Sequence, residues 1–413
     1  MIVSGSTLLV TGTIWLLFSY NAVRPHYRHA LVAAASFFAG WLRAELALPA
    51  LLVEVPLLGI LVWNGALHTW AGGIGLALHA AAITFLLFSL QQSVVSRSVV
   101  ARAVADCGDD APLTRLRWLP LLFPFWVRQA GVEKLRNRVY HRGEDGVLTL
   151  DVYRRRTDPD AARASPRPAL VYIHGGAWMV GFKTFQGVPM LQHFAALGWV
   201  CFTISYRLSP RATFPDHIID VKRAIAWVRE HAAEFGCDPG FIVVAGNSAG
   251  GHLASLASLT PNEPTLQPGF VGADTSIAAC MSFYGVYDLC DQFSHWHNRG
   301  LQALLERYVM KARLIDAPER FVAASPLAHV GSHAPPFLVV HGDRDSIVPV
   351  AEARAFVAAL RHSTAAPCVY IEVPGAQHAF EIFPSLRTVY LLRGLERFAT
   401  YVHRQYLGAR AAQ

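Results

Sequence analysis

Hydrophobic and polar positions divide the chain into an apolar front and a mixed back. Ile2 to Tyr20 runs for about 19 residues without a charge, close to the length that crosses a bilayer. Gly72 to Leu90 forms a second clean apolar run. Leu46 to Leu67 forms a third, interrupted by Pro49, Glu54 and Pro56. Ala30 to Leu42 is apolar but short, and either lies along a surface or extends the third run. The pattern predicts three crossings, with four as the alternative. A cleaved leader would carry a basic start and a small-residue cleavage site. The opening "MIVSGSTLLV" has no Lys or Arg, so it reads as an uncleaved helix. A carboxylate at membrane depth is costly, which places Glu54 near an interface or against another helix.

Behind Arg97 the pattern becomes that of a water-soluble protein. "NRVYHRGEDGVLTLDVYRRR" predicts two strands around a glycine turn. "PALVYIHGGAW" and "GWVCFTISYRL" predict two more, both buried. Ile218, Val221, Ile225 and Val228 recur at helical spacing, with Gly236 beyond as a stop. "FIVVAGNS", "SIAACMSFYG", "PPFLVVHGDRD" and "APCVYIEVPG" then alternate with mostly helical stretches. Short apolar strands alternating with helices predict a largely parallel sheet covered on both faces.

Composition sharpens this division. The 413 residues are 53% hydrophobic and only 16% charged, against about 25% charged in an average soluble domain. Residues 1–95 carry only Arg24, Arg28, Arg43, Glu45 and Glu54. The net charge of +7 suits an acidic lipid surface or a nucleic acid. No nucleic-acid motif is present, and the apolar front favours the bilayer. Arg97, Arg102, Arg115, Arg117, Arg128, Lys134, Arg136 and Arg138 follow that front. They form either a juxtamembrane segment drawn to acidic headgroups or a solvated basic face. Arg24 and Arg28 follow the first run, "GALHTWAGG" has no Lys or Arg, and Arg97 and Arg102 follow the last. With three crossings, the positive-inside rule puts the globular part in the cytoplasm; four would need another arrangement. Residues 111–130 mix Trp, Phe, Leu, Pro and Arg, which suits an interfacial segment or a cap. The expected layout is a transmembrane anchor over 1–95, a juxtamembrane or cap segment over 96–137 and a catalytic domain over 138–408. The anchor is expected to fold without the domain behind it, and the chemistry to proceed without the anchor. Six cysteines show no CxxC spacing, so neither a zinc ribbon nor a disulfide framework is indicated. Nothing in the sequence speaks to oligomeric state.

The strand ends carry the chemistry. A parallel sheet binds ligands at its carboxyl edge. There stand His174-Gly175-Gly176-Ala177-Trp178, Gly246-Asn247-Ser248-Ala249-Gly250, His341-Gly342-Asp343-Arg344-Asp345 and Pro374-Gly375-Ala376-Gln377-His378. Ser248 sits at a strand-to-helix corner tight enough to require small neighbours. Serine needs a base to become nucleophilic, and His378 follows the last strand. A carboxylate must hold that imidazole in one tautomer. Asp345 is the candidate, with Asp343 as the rival better suited to holding the turn. Backbone N–H groups of Gly175, Gly176 and Ala249 are the candidates for an oxyanion hole. Trp178 and Asn247 are candidates for lining the substrate, although Trp178 could equally pack. His174 and His252 read as structural, Asp288 as a helix cap or a site residue, and His295 and His297 as surface or cap residues. No metal or cofactor is expected.

In order and spacing, "HGGAW", "YRLSPRATFP", "GNSAGG", "HGDRDSIVP" and "GAQHAF" resemble the hormone-sensitive-lipase-type branch of the α/β-hydrolases. The resemblance covers roughly residues 138–408. It implies a mostly parallel sheet flanked by helices, a Ser248–Asp345–His378 triad, an HGG oxyanion turn and an ester or lipid substrate. Two positions depart from the pattern: Asn247 stands where Asp is usual, and Ala177 where a third Gly is usual. Related isoprenylcysteine methylesterases use similar motifs behind membrane helices, so that activity stays open. Amidase or peptidase activity and a non-catalytic scaffold stay open as well.

Overall fold

The computed structural model describes residues 5–108, 121–124, 127–144, 146–156 and 166–412. Most of the 111–130 segment, including Arg115 and Arg117, therefore lies outside the described residues. The apolar front folds into α1 (Gly5–Val23), α2 (Ala30–Glu45), α3 (Ala47–Trp63) and α4 (Trp70–Ala103). By length and composition, α1 and α4 are each able to cross a bilayer. The pair α2 and α3 passes only as one unit, bent by 81°. Leu8, Leu61 and Ala66 cluster at one end of the bundle. Toward the other end Tyr20 meets Phe85, with ring centroids 5.6 Å apart. The route is therefore along α1, across on α2, back along α3 and forward again on α4.

The back of the chain forms an eight-stranded sheet in the order β1-β2-β4-β3-β5-β6-β7-β8. The strands are β1 (Val132–Gly143), β2 (Gly146–Arg155), β3 (Arg167–Ile173), β4 (Val200–Ile204), β5 (Cys237–Asn247), β6 (Ala279–Phe283), β7 (Phe337–Gly342) and β8 (Cys368–Val373). Pairings from β4 through β8 are parallel, and the β1–β2 hairpin adds antiparallel at one edge. The central strands β3, β4, β5, β6 and β7 are apolar and buried along almost their whole length, as a two-sided sheet requires. Helices α5 (Val188–Ala196), α6 (Asp216–Glu230), α7 (Ala249–Leu259), α8 (Val350–Ser363) and α9 (Leu386–Ala411) cover its faces.

The junction departs from the expected two-part layout. Helix α4 does not end at the composition shift but continues to Ala103. Its last turn and the residues just after it join the hydrolase core: Val100, Val104 and Cys107 belong to one buried cluster with Leu395 and Phe398 of α9 and Leu170 of β3. The composition shift at Arg97 therefore falls inside one unbroken helix. The front is further fixed by Arg387, whose side chain is 0% exposed. Its Nη1 donates to Glu45 Oε1 at 2.7 Å, its Nη2 to the Ser89 carbonyl at 3.1 Å and its Nε to the Pro374 carbonyl at 3.0 Å. One guanidinium thus ties α2, α4, α9 and the segment after β8 together. Arg43 and Glu54 pair across the α2–α3 bend, which gives Glu54 the helical partner its burial demands.

Breaking a buried ion pair from one side leaves the other charge uncompensated, at a cost of about 3–5 kcal/mol. Arg387→Met is therefore expected to lower the thermal unfolding midpoint of the detergent-solubilised chain sharply. Arg387→Met combined with Glu45→Gln should recover part of the loss. Equal midpoints for the single and double variants would contradict the role assigned to this pair.

Candidate active site

Ser248 occupies the corner between β5 and α7 with φ 55° and ψ −122°. That backbone is costly for a residue with a Cβ, and close packing maintains it. A methyl on Gly250 would overlap the Ile173 carbonyl oxygen, and one on Gly246 would overlap the Gly250 carbonyl oxygen. The small neighbours let β5, β3 and α7 converge, and the serine hydroxyl is left above the carboxyl edge of the sheet.

His378 lies after β8 and meets that hydroxyl. Its Nε2 is 2.8 Å from Ser248 Oγ, and its Nδ1 is 2.5 Å from Asp345 Oδ2. These partners fit a neutral imidazole with the proton on Nδ1, leaving Nε2 to accept from the serine. Asp345 Oδ1 accepts from the Ile347 and Val348 N–H groups at 2.8 and 2.9 Å. Burial alone would raise its pKa, but His378 and His341 outweigh it and hold the carboxyl well below the usual range. Asp343 instead accepts from the Gly375 N–H at 2.7 Å and holds the turn. Gln377 accepts from both the Ser346 and His378 N–H groups, at 2.7 and 2.9 Å, and so clamps the two loops.

The loop after β3 corrects three expectations. The Gly175 N–H is already spent: it lies 2.7 Å from Gln186 Oε1 and 2.7 Å from Asn247 Oδ1. Gly175 therefore does not supply an oxyanion donor. Among the described residues, the N–H groups of Gly176, Ala177 and Ala249 have no protein acceptor. Gly176 takes φ 120°, and Ala177 follows at φ 53°. A methyl on Gly176 would overlap the Val180 carbonyl oxygen. Trp178 does not line the substrate but is 2% exposed in the core. Its indole N–H donates to His252 Nδ1 at 3.1 Å, and His252 Nε2 donates to the Ala324 carbonyl at 2.7 Å. Burial lowers the His252 pKa to about 4, and that of His174 likewise. Asn247 is also engaged at both ends, since its Nδ2 donates to the Tyr284 hydroxyl at 3.2 Å. Tyr284 in turn donates to Glu381 and lays its ring 4.4 Å from that of His378. This chain explains Asn at position 247: an aspartate there could accept from Gly175 but could not donate to Tyr284.

The remaining candidates fall into place around this core. Asp288 accepts from the Cys290 and Gln292 N–H groups and so caps a turn. His297 meets Tyr27 of the front, with centroids 5.1 Å apart. Among the described residues, no group of His, Cys, Asp or Glu is placed to hold a metal ion. What sequence reasoning missed is the roof. Helix α2 lies over the histidine loop: the Phe37 ring meets His378 edge-on at 5.9 Å, and Trp41 Nε1 donates to the Ala379 carbonyl at 2.8 Å. Ser346 Oγ donates to the Ala33 carbonyl at 3.3 Å. The apolar run 30–42 gave no signal of which face would pack here. Tyr284 was more legible, since it stands at the end of β6 on the same rim.

Fold and site together define a hydrolase with a serine at the strand–helix corner. The family model described as BD-FAE matches residues 150–360. A probable carboxylic ester hydrolase of Mycobacterium tuberculosis, LipM, is 39% identical over 96% of this chain and 93% of its own length. The esterase LipQ of the same organism is 46% identical over 63% of this chain and 61% of its own. Among solved structures, butyrate-bound esterase 2 of Thermogutta terrifontis has a TM-score of 0.55 and 28% identity, covering 67% of this chain and 94% of that one. The chain belongs to the α/β-hydrolases, in the BD-FAE, hormone-sensitive-lipase-like family, and is a carboxylic ester hydrolase.

The Glu381 carboxyl under this site is pushed up to about 7 by burial, against the lowering effect of the Tyr284 hydroxyl. As pH rises from about 4.5 toward 7, an unfolded glutamate releases its proton while the folded one keeps it. Stability is thus lost with rising pH across that window. Glu381→Gln removes this dependence. Relative to wild type, the variant should gain up to about 3 kcal/mol between pH 5 and pH 8. Thermal unfolding at the two pH values checks this, and an unchanged difference between the two proteins would contradict it.

Proposed function

We propose that the chain is a membrane-embedded serine esterase acting through Ser248, His378 and Asp345. The observation that carries this reading is the unbroken hydrogen-bonded line from Ser248 Oγ through His378 to Asp345 Oδ2 at the carboxyl edge of the sheet. His378 Nε2 takes the serine proton as Oγ attacks the acyl carbon. The developing oxyanion is received by the N–H groups of Gly176, Ala177 and Ala249, Ala177 taking over from the occupied Gly175. The N-terminus of α7 adds a favourable potential. The protonated imidazole then gives its proton to the departing alcohol. Water, activated by the same histidine, attacks the acyl-enzyme and frees the acid and Ser248. The low carboxyl of Asp345 keeps it ionised throughout, so it stabilises the imidazolium without taking its proton.

In the same reading residues 1–95 anchor the enzyme, 138–408 carry the catalytic fold and the segment between joins them. Helices α1, α3 and α4 cross the bilayer, and α2 lies at its hydrolase-side surface. The route of the chain supports this, since α1 and α4 both end against the hydrolase and the loop at 64–69 lies at the far end. Arg24, Arg28, Arg97 and Arg102 follow the ends of α1 and α4 that meet the hydrolase, and the positive-inside tendency supports a cytoplasmic hydrolase side in this reading. With α2 as its roof, the site takes esters dissolved in or bound at the bilayer.

Ser248→Ala is expected to lower ester turnover by about 10⁴-fold or more, because members of a triad act as a unit. Asp345→Asn should cost about 10⁴-fold by favouring the wrong imidazole tautomer. Asp343→Asn should act mainly on stability. Turnover of a short ester and labelling by a fluorophosphonate probe check all three. A folded Ser248→Ala protein that retains turnover, or a larger activity loss at Asp343 than at Asp345, would contradict the assignment.

A further inference from the structure

Two cavities that share Pro124 lie where the front joins the hydrolase. The first, about 670 Å³, is lined by Arg128, Lys134, Arg136 and Arg156, with Phe185 and Ile382 on its apolar side. Its one carboxylate among the described lining residues, Glu133, is paired with Arg154 at 2.8 Å. Lys134 shares Asp151 at 3.1 Å. Arg128, Arg136 and Arg156 have no carboxylate partner among the described residues. The second cavity, about 710 Å³, is an apolar groove lined by Trp15, Leu46, Pro49, Val53 and Phe123. Glu54, which also lines it, is paired with Arg43 and adds no net charge. Pro124 lines both spaces. Leu46 of the groove and Ile382 and Phe383 of the cavity belong to one apolar cluster around Trp41. Phe123 is 60% exposed and Phe185 57% exposed, as aromatic side chains are at the water–hydrocarbon boundary.

We propose that the two spaces together hold one anionic phospholipid, with its phosphate in the basic cavity and an acyl chain in the groove. Charge selects this occupant. A zwitterionic lipid would leave three guanidinium groups without a net counter-charge, and a free phosphate would leave the groove unfilled. Guanidinium forks match phosphate oxygens in geometry as well as in sign. The site does not include Ser248, so the lipid is a bound component of the α2–α3 corner rather than the ester being cleaved.

Native mass spectrometry of the full chain, exchanged in detergent with phosphatidylglycerol or phosphatidylcholine, tests this. Wild type is expected to retain phosphatidylglycerol at least tenfold better. The Arg128→Gln, Arg136→Gln, Arg156→Gln triple variant should lose that retention by roughly 10- to 100-fold. These side chains are exposed, and an unchanged unfolding midpoint would show that the variant remains folded. A control triple, Lys311→Gln, Arg313→Gln, Arg361→Gln, removes the same charge elsewhere and should retain the lipid. Equal retention of the two lipids by wild type would overturn the proposal, as would equal losses in the two triple variants. So would inorganic phosphate binding as strongly as the lipid, since the groove would then contribute nothing. None of these outcomes depends on the esterase mechanism.

Discussion

A fully buried guanidinium is the constraint on which the assembly turns. Arg387 cannot be hydrated where it sits, so every one of its donors needs a protein partner. It finds Glu45 at the α2–α3 bend, the Ser89 carbonyl on α4 and the Pro374 carbonyl at the start of the segment that carries His378. Those three partners are far apart in sequence and belong to both halves of the chain. Satisfying one charge therefore fixes the bent helix pair, the long helix and the histidine loop relative to one another. Glu381 and Tyr284 lie beneath the same loop and extend the order inward through Asn247 to the turn after β3.

This continuity gives the proposed triad its setting. The backbone of Ser248 is strained, and strain persists only where the surroundings over-determine it. Here the surroundings are the close approach of β3, β5 and α7 on one side and the His378 loop on the other. Phe37 and Trp41 close the histidine loop from above. A helix of the apolar front thus covers the histidine loop. The reading of the enzyme as one that takes its ester from the bilayer rests on this arrangement.

Much of the hydrolase was legible because its signals are local. Alternating apolar runs mark the strands, and the residues at their ends mark the rim, so Ser248, His378 and Asp345 were placed on one rim before their distances were known. The turn-holding role of Asp343 also followed from its place beside Asp345. The donors of the loop after β3 were less legible, because whether Gly175 is free depends on Gln186 and Asn247, which no spacing rule connects to it. The indole of Trp178 has the same difficulty: its partner His252 lies on another element. The junction near Arg97 was the least legible part. The change of composition falls inside α4, which passes through it unbroken. Long-range burial, as at Arg387 or Phe37, leaves no periodic trace in a sequence.

The central claim is that α1, α2 and α3 are part of the hydrolase rather than a detachable tether. Turnover of a short, soluble ester by a chain beginning at Trp70 tests it most directly, since α4 and its contacts with the core are then kept and the substrate needs no membrane. Misplacing a catalytic group by about 1 Å can cost about 10²-fold. The account predicts a folded protein with a loss of that order and faster amide exchange over residues 374–380. A folded protein that turns over the short ester at the rate of the full chain would contradict it.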